Sequence, residues 1–393
     1  MNASEDVKNI NETIKALVDE SKPFPPALLY TFSDLSPEDA LILRSAWPHV
    51  PLARRRTLLE DLIEMTEKDD LMMFEEVGKI ALEDEDADVL ISAIDLLFQA
   101  EDPRLIPVFL QLLQNLTTDE KVRAAAANAL GPYVYLGEVE KLRPEVLHSM
   151  VEALLRAYRT DPSDLVRRRA LESLGYSSHA EVPELLRAAC SRPEVDWQES
   201  AMFAMGKSAD DQWQNLVLAN LEHENSKVRL QAIHAAGDLS LQQARQALLQ
   251  ILNQEYQDED LRHEAVWALS QIGGEGVEAA FYRLMERLDD DDEIAIIEDA
   301  LDELNFTDDK SLFELMNYDI DASLLQGDET EEPSDEGSLE GAGGHRKGPH
   351  FLSEGYDQEE WQRYVDDDDL GDDSDDFDDE DEDENDFDDD DEY

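Results

Sequence analysis

The residues that invite a chemical reading first are Arg262-His263-Glu264-Ala265. An imidazole followed directly by a carboxylate is a pair used for metal ligation and for proton transfer. A second His-Glu pair, His223-Glu224, falls in the turn before a helix rather than on one. One helical pair offers two ligands, whereas the commonest mononuclear iron arrangement needs two His and a carboxylate. No metal centre is therefore expected. The chain contains no G-x-x-x-x-G-K-[ST] phosphate loop and no H-E-x-x-H helix. The carboxylates of the C-terminal tail lack the D-x-[DN]-x-[DN]-G spacing of a calcium loop, so cation binding there would be diffuse. Cys190, the only cysteine, sits in the apolar run Leu185 to Cys190 and reads as a small buried thiol. No nucleophile with a partner base is visible, and no cofactor is expected.

A second group of residues suits binding. Phe203, His234 and Trp267 stand 31 and 33 residues apart. Arg168-Arg169, Leu230 and His263-Glu264 fall at related offsets. What places them together is an internal repeat. Val122-Arg123, Val166-Arg167, Trp197-Gln198, Val228-Arg229 and Leu261-Arg262 each follow a polar turn. Each is followed by Ala at +3 and a small–apolar pair at +6 and +7, counted from the Arg position, with Gly next in the first four. Weaker copies put Arg56, Leu90 and Ile294 there. The positions 56, 90, 123, 167, 198, 229, 262 and 294 are 34, 33, 44, 31, 31, 33 and 32 apart. The 44 marks an insertion between Gly131 and Thr160.

Each period predicts two helices. Sites −1, +3, +4, +6 and +7 form an apolar or small stripe with helical spacing. Gly at +8, as in Gly131, Gly175 and Gly237, reads as a left-handed helix stop. An amphipathic helix follows, as in Arg104 to Leu113 and Gln243 to Leu252. Neither helix buries its apolar face alone, so the pairs must stack into an all-α solenoid.

These residues resemble the short HEAT repeats of the phycobilisome-lyase type found in bacterial HEAT-repeat proteins, with the consensus V-R-x-x-A-x-x-A-L-G. The resemblance covers about Leu52 to Leu304 and implies a HEAT-type fold without specifying a function. It also implies that the repeated Arg pairs with an acid just upstream, here Asp119, Asp164 or Asp260, and stitches repeats together. Further, it places the V-R helix on a concave face, where sites +1, +2 and +5 point outward. Site +5 runs Asp95, Asn128, Glu172, Phe203, His234, Trp267, Asp299. The candidate partner-binding groove is thus Arg168, Arg169, Phe203, Leu230, His234, His263, Glu264 and Trp267: an aromatic strip with a basic edge. The competing reading has the rings packing on neighbouring repeats or on the tail.

Arg262-His263-Glu264 also looks like the motif of deoxyhypusine hydroxylase, a HEAT-type enzyme that holds two irons on four His-Glu pairs. The matching positions here are Ile91-Ser92, Ala124-Ala125, Arg168-Arg169, Glu199-Ser200, Leu230-Gln231 and Ala295-Ile296, none of them His-Glu. Far less than one iron per chain is expected. No residue singles out a bilin site.

The chain has 393 residues and a formal charge of −65. Residues 1–317 carry 29 basic and 63 acidic residues (net −34), residues 318–365 carry 3 and 13, and residues 366–393 carry none and 21. The expected organisation is capping helices over 1–50 and about eight repeats over 51–317. A linker with a short helix near Trp361 follows over 318–365, and a disordered acidic tail over 366–393. Within the first segment, Glu5 to Asp19 reads as a helix, and Ser36-Pro37-Glu38-Asp39 starts another.

Such acidity argues against direct nucleic-acid binding and against anionic membranes, and favours basic protein partners. One cysteine, no signal-peptide pattern and no apolar run of about 18 residues predict a cytoplasmic protein. The leading functional expectation is a protein-binding scaffold. The alternatives are a hydroxylase-like or lyase-like HEAT enzyme, and a chaperone of a basic client acting through the tail.

Overall fold

A computed structural model describes residues 10–304 of the chain except 70, 255–257, 289 and 291, and leaves aside the side chain of residue 67. The expected linker, its short helix and the tail lie outside the described residues. All described residues fall in one compact unit. Among them there is no strand, and no helix is long and apolar enough to cross a membrane.

Helix α1 (Ile10–Val18) ends before the Pro-rich stretch, which passes through a 3-10 turn at Pro26–Phe32. Helix α2 (Pro37–Ala46) starts as its sequence demands. Ser36 accepts a hydrogen bond from the Asp39 amide at 3.2 Å, and Pro37 fills the first helical position. Ile10, Leu17, Phe32, Leu43 and Trp47 share one core with Leu58, Leu62, Phe74 and Val77 of the first repeat helices.

The array continues in chain order as α3 (Leu52–Lys68), α4 (Glu75–Ala81), α5 (Ala87–Leu96), α6 (Leu105–Gln114), α7 (Glu120–Glu138) and α8 (Pro144–Thr160). It proceeds through α9 (Asp164–Leu174), α10 (Val182–Cys190), α11 (Val195–Lys207), α12 (Gln214–Asn220) and α13 (Ser226–Asp238). Helices α14 (Arg245–Leu252), α15 (Glu259–Ile272) and α16 (Val277–Met285) come next, and residues 292–304 form a further helix.

From α3 onward the odd-numbered helices carry the Arg register, and from α3 to α15 each packs on the next, making one continuous layer. The even-numbered helices form a second, more sparsely packed layer. From α4 to α14 each leans chiefly on the odd helix after it, so the compact pair is the amphipathic helix followed by the V-R helix. The stripe is buried throughout: Val122, Ala126 and Leu130; Val166, Ala170 and Leu174; Val228, Ala232 and Ala236; Leu261, Ala265 and Leu269.

The polar turns before these helices supply N-caps. Asp86, Asp119, Asn225 and Asp258 each accept a hydrogen bond from a first-turn amide. The 44-residue spacing is absorbed by lengthening α7 and α8 rather than by a loop. Pro132 lies inside α7, and the Asn128 carbonyl it cannot serve lies 3.4 Å from the Ser173 hydroxyl of α9.

Two expectations are corrected. The repeat glycines Gly131, Gly206 and Gly237 lie within helices, and Gly175 caps α9 with φ −56°; none is left-handed. They serve close approach instead. A Cβ on Gly175 would sit 2.7 Å from Ala204 Cα, and one on Gly206 would sit 2.9 Å from Ala235 Cα.

The repeat Arg, for its part, mostly reaches the acid of the next repeat rather than the one upstream. Arg56 pairs with Asp86 at 2.7 Å, Arg123 with Asp161 at 2.9 Å and Arg262 with Glu293 at 2.7 Å. Asp119 is occupied as a cap, whereas Arg167 does pair with Asp164 at 3.1 Å. Arg123 and Asp161 are both almost fully buried, and two guanidinium nitrogens meet two carboxylate oxygens there.

Candidate functional site

The odd-helix layer brings site +5 of α11, α13 and α15 into line. The Phe203 and His234 rings stack with centroids 6.5 Å apart and planes 11° from parallel. His234 and Trp267 stack at 4.3 Å and 8°. All three side chains are half-buried. Rings on successive helices meet face to face because the helices run close and in step. Gly237 makes this possible for the indole: a Cβ there would lie 2.6 Å from Trp267 Cζ3. The rings therefore pack on neighbouring repeats while each remains only half-buried.

The imidazole at the centre is held by charge. His234 Nδ1 lies 2.6 Å from Glu264 Oε1 of the next repeat. On its other side, Nε2 lies 3.2 Å from Lys207 Nζ of the preceding repeat and 3.5 Å from Asp238. Lys207 also pairs with Asp238 at 3.0 Å and stands 5.3 Å over the Phe203 ring. Lys207 and Asp238 escaped the sequence reading because they sit at site +9, just beyond the repeat motif. The readable signal was an opposite-charge pair at one register position, 31 residues apart.

The other candidate residues are placed as follows. Arg168 is mostly buried, 3.5 Å from both Asp196 and Ser200 Oγ. Arg169 pairs with the buried Glu172 at 2.5 Å, and Glu172 accepts from Ser200 at 2.6 Å. Both guanidinium charges thus have acidic partners, Arg168 largely within the array and Arg169 at its exposed surface. Leu230 is half-buried at site +1 of α13.

His263 and Glu264 diverge despite being adjacent. Glu264 turns back to His234, whereas His263 Nε2 faces forward, 3.9 Å from Glu293. They do not act as a unit on one ligand. A mixed-charge cleft of about 360 Å³, lined by Arg44, Glu76, Lys79, Glu83, Asp102 and Arg104, lies elsewhere along the array. Cys190 is half-buried, and burial pushes its thiol pKa up, away from a reactive thiolate.

Comparison with known proteins places this geometry. A family model for HEAT repeats matches residues 74–150 and 214–305. No curated protein sequence matches the chain. Among solved structures, human deoxyhypusine hydroxylase in complex with glycerol is 20% identical with a TM-score of 0.31, over 76% of this chain and 96% of that one. The complex of CpcE and CpcF of phycocyanin lyase from Nostoc sp. is 22% identical at 0.39, over 58% and 94%. Kap121p bound to Pho4p is 14% identical at 0.35, over 75% and 37%. At these scores none lends its activity to this chain. Residues 74–150 and 214–305 thus match HEAT repeats, and the stacked helix pairs give the described residues the fold of a HEAT-type α-solenoid.

Proposed function

We propose that the chain is a protein-binding scaffold and not an enzyme, and that its partner docks on the odd-helix face centred on Phe203, His234 and Trp267. The observation that carries this reading is the three-ring ladder across successive repeats. A rigid aromatic strip with accessible edges loses little entropy on binding, and aromatic residues dominate interface hot spots. The half-buried Glu264 beside it and the net −34 of residues 1–317 suit a basic, extended segment. Its guanidinium groups would find both carboxylates and ring surface there. The odd-helix layer is also the tighter one, as the inner layer of a curved stack must be. Because Arg168 and Arg169 are already paired, the specificity rests on the rings and acids rather than on a basic edge.

The acidic segment from Gly327 onward competes for the same basic partner and modulates its access. Pull-down with the intact chain identifies the partner, and calorimetric titration then measures it against three proteins. Trp267→Ala binds about 2 kcal/mol more weakly than the intact chain if the ring is a hot spot. Deletion from Gly327 tightens binding. An unaffected Trp267→Ala removes the groove, and equal affinities of intact and truncated chains remove the competition.

A further inference from the structure

The divergence of His263 from Glu264 leaves its imidazole in an unusual setting. Its Nε2 is shut off from solvent and has no hydrogen-bond partner. Such an atom forgoes water without compensation, a cost that a bound ligand would remove. What it faces is anionic. Glu259 lies one helical turn before His263 on α15, so the two side chains share a face. Glu293 comes from the helix over 292–304 in the next repeat. One nitrogen of His263 and one oxygen from each carboxylate lie within 4.8 Å of one another.

Glu293 is held in place by Arg262, whose Nε and Nη2 both donate to Oε2, at 3.1 and 2.7 Å. That ion pair makes no use of Oε1. A ligand carboxylate fixed by a second residue is the arrangement that orients metal-binding groups.

We infer that Glu259, His263 and Glu293 form a site for a divalent transition-metal cation, with Zn2+ as the natural probe. One imidazole and two carboxylates are a borderline-to-hard donor set, suited to Zn2+ or Mn2+ and short of the thiolates that select softer ions. In a tetrahedral zinc shell with bonds of about 2.1 Å, donor atoms sit about 3.4 Å apart. Separations of up to 4.8 Å therefore close by as much as about 1.4 Å, most easily through rotation of the exposed Glu259. Water completes the shell. With Arg262 alongside, the three ligands and the guanidinium carry a net charge of −1 when the imidazole is neutral, and the cation brings the cluster to +1. The set is distinct from an adjacent His-Glu pair, because Glu264 is committed to His234. Its consequence is mechanical: the ion clips the helix over 292–304 to α15 across a repeat boundary.

The competing arrangement is a plain ion pair between a protonated His263 and Glu293. Metal-stripped full-length chain is titrated with Zn2+ against a fluorescent chelator. Salt of about 0.5 M reduces the screening length to about 4 Å and suppresses diffuse binding to the tail carboxylates. Wild type, His263→Ala and Glu259→Gln are compared, with circular dichroism verifying equal helicity. The expected result is one equivalent of zinc in the wild type that both variants bind at least tenfold more weakly. Zinc also slows amide exchange across residues 292–304 in the wild type alone. Superimposable titrations for the three proteins, or an exchange pattern indifferent to zinc, overturn the site.

Discussion

Asp102 shows how a single carboxylate is tuned within the array. Burial opposes its ionisation, but hydrogen bonds from Arg104 and Lys79 outweigh that and hold its pKa at about 2. A depressed carboxylate pKa contributes stability that is present above the unfolded value of 3.8 and is lost as pH falls through the folded value. The shift corresponds to about 2 kcal/mol at neutral pH. Asp102→Asn should therefore destabilise the chain by about that amount near pH 7, and the difference from wild type should shrink between pH 4 and pH 2. Urea unfolding at several pH values measures it; a difference independent of pH would show that the carboxylate's charge plays no part. Arg123 is a contrasting case. Its pair with Asp161 is buried on both sides, so Arg123→Ala leaves an uncompensated carboxylate and should cost about 3–5 kcal/mol in the same assay.

Between helices, backbone proximity decides more than side-chain chemistry. A methyl group on Gly175 would meet the backbone of Ala204, and backbone cannot swing aside. Gly175→Ala should separate α9 from α11 and cost about 1–3 kcal/mol, read as a lowered thermal midpoint. Gly175→Asn should be worse still. A left-handed cap would instead tolerate Asn, so the order of the two variants discriminates between the explanations. The sequence showed the helices and their period because burial every three to four residues leaves a mark at fixed offsets, as at Val228, Ala232 and Ala236. The same register was enough to align Phe203, His234 and Trp267. It was silent on how far each helix slides along its neighbour. That offset decides that Arg123 meets Asp161 rather than Asp119, that Lys207 reaches Asp238, and that Glu293 arrives beside His263. Ion pairs between repeats were therefore misassigned or missed, whereas the apolar stripe along each helix was read correctly.

For the molecule as a whole, two electrostatic terms oppose each other. Ion pairs such as Arg56–Asp86 and Arg262–Glu293 bind repeat to repeat, while the net −34 of residues 1–317 drives the acidic surface apart. The pairs are short-ranged and partly buried, and the repulsion is long-ranged. Raising salt from about 10 mM to about 150 mM cuts the screening length from about 30 Å to about 8 Å, which weakens the repulsion far more than the pairs. The thermal midpoint should rise by a few degrees over that range; a fall would show that the pairs dominate. Trp267 carries one further consequence, an optical one. A histidine ring pressed against an indole quenches its emission by accepting an electron from the excited ring. With His234 at 4.3 Å from the Trp267 ring, the ladder has a light-sensitive gauge built into it. Emission from this tryptophan should brighten when an arriving segment pries the two rings apart. Docking on this face then becomes visible without any added dye.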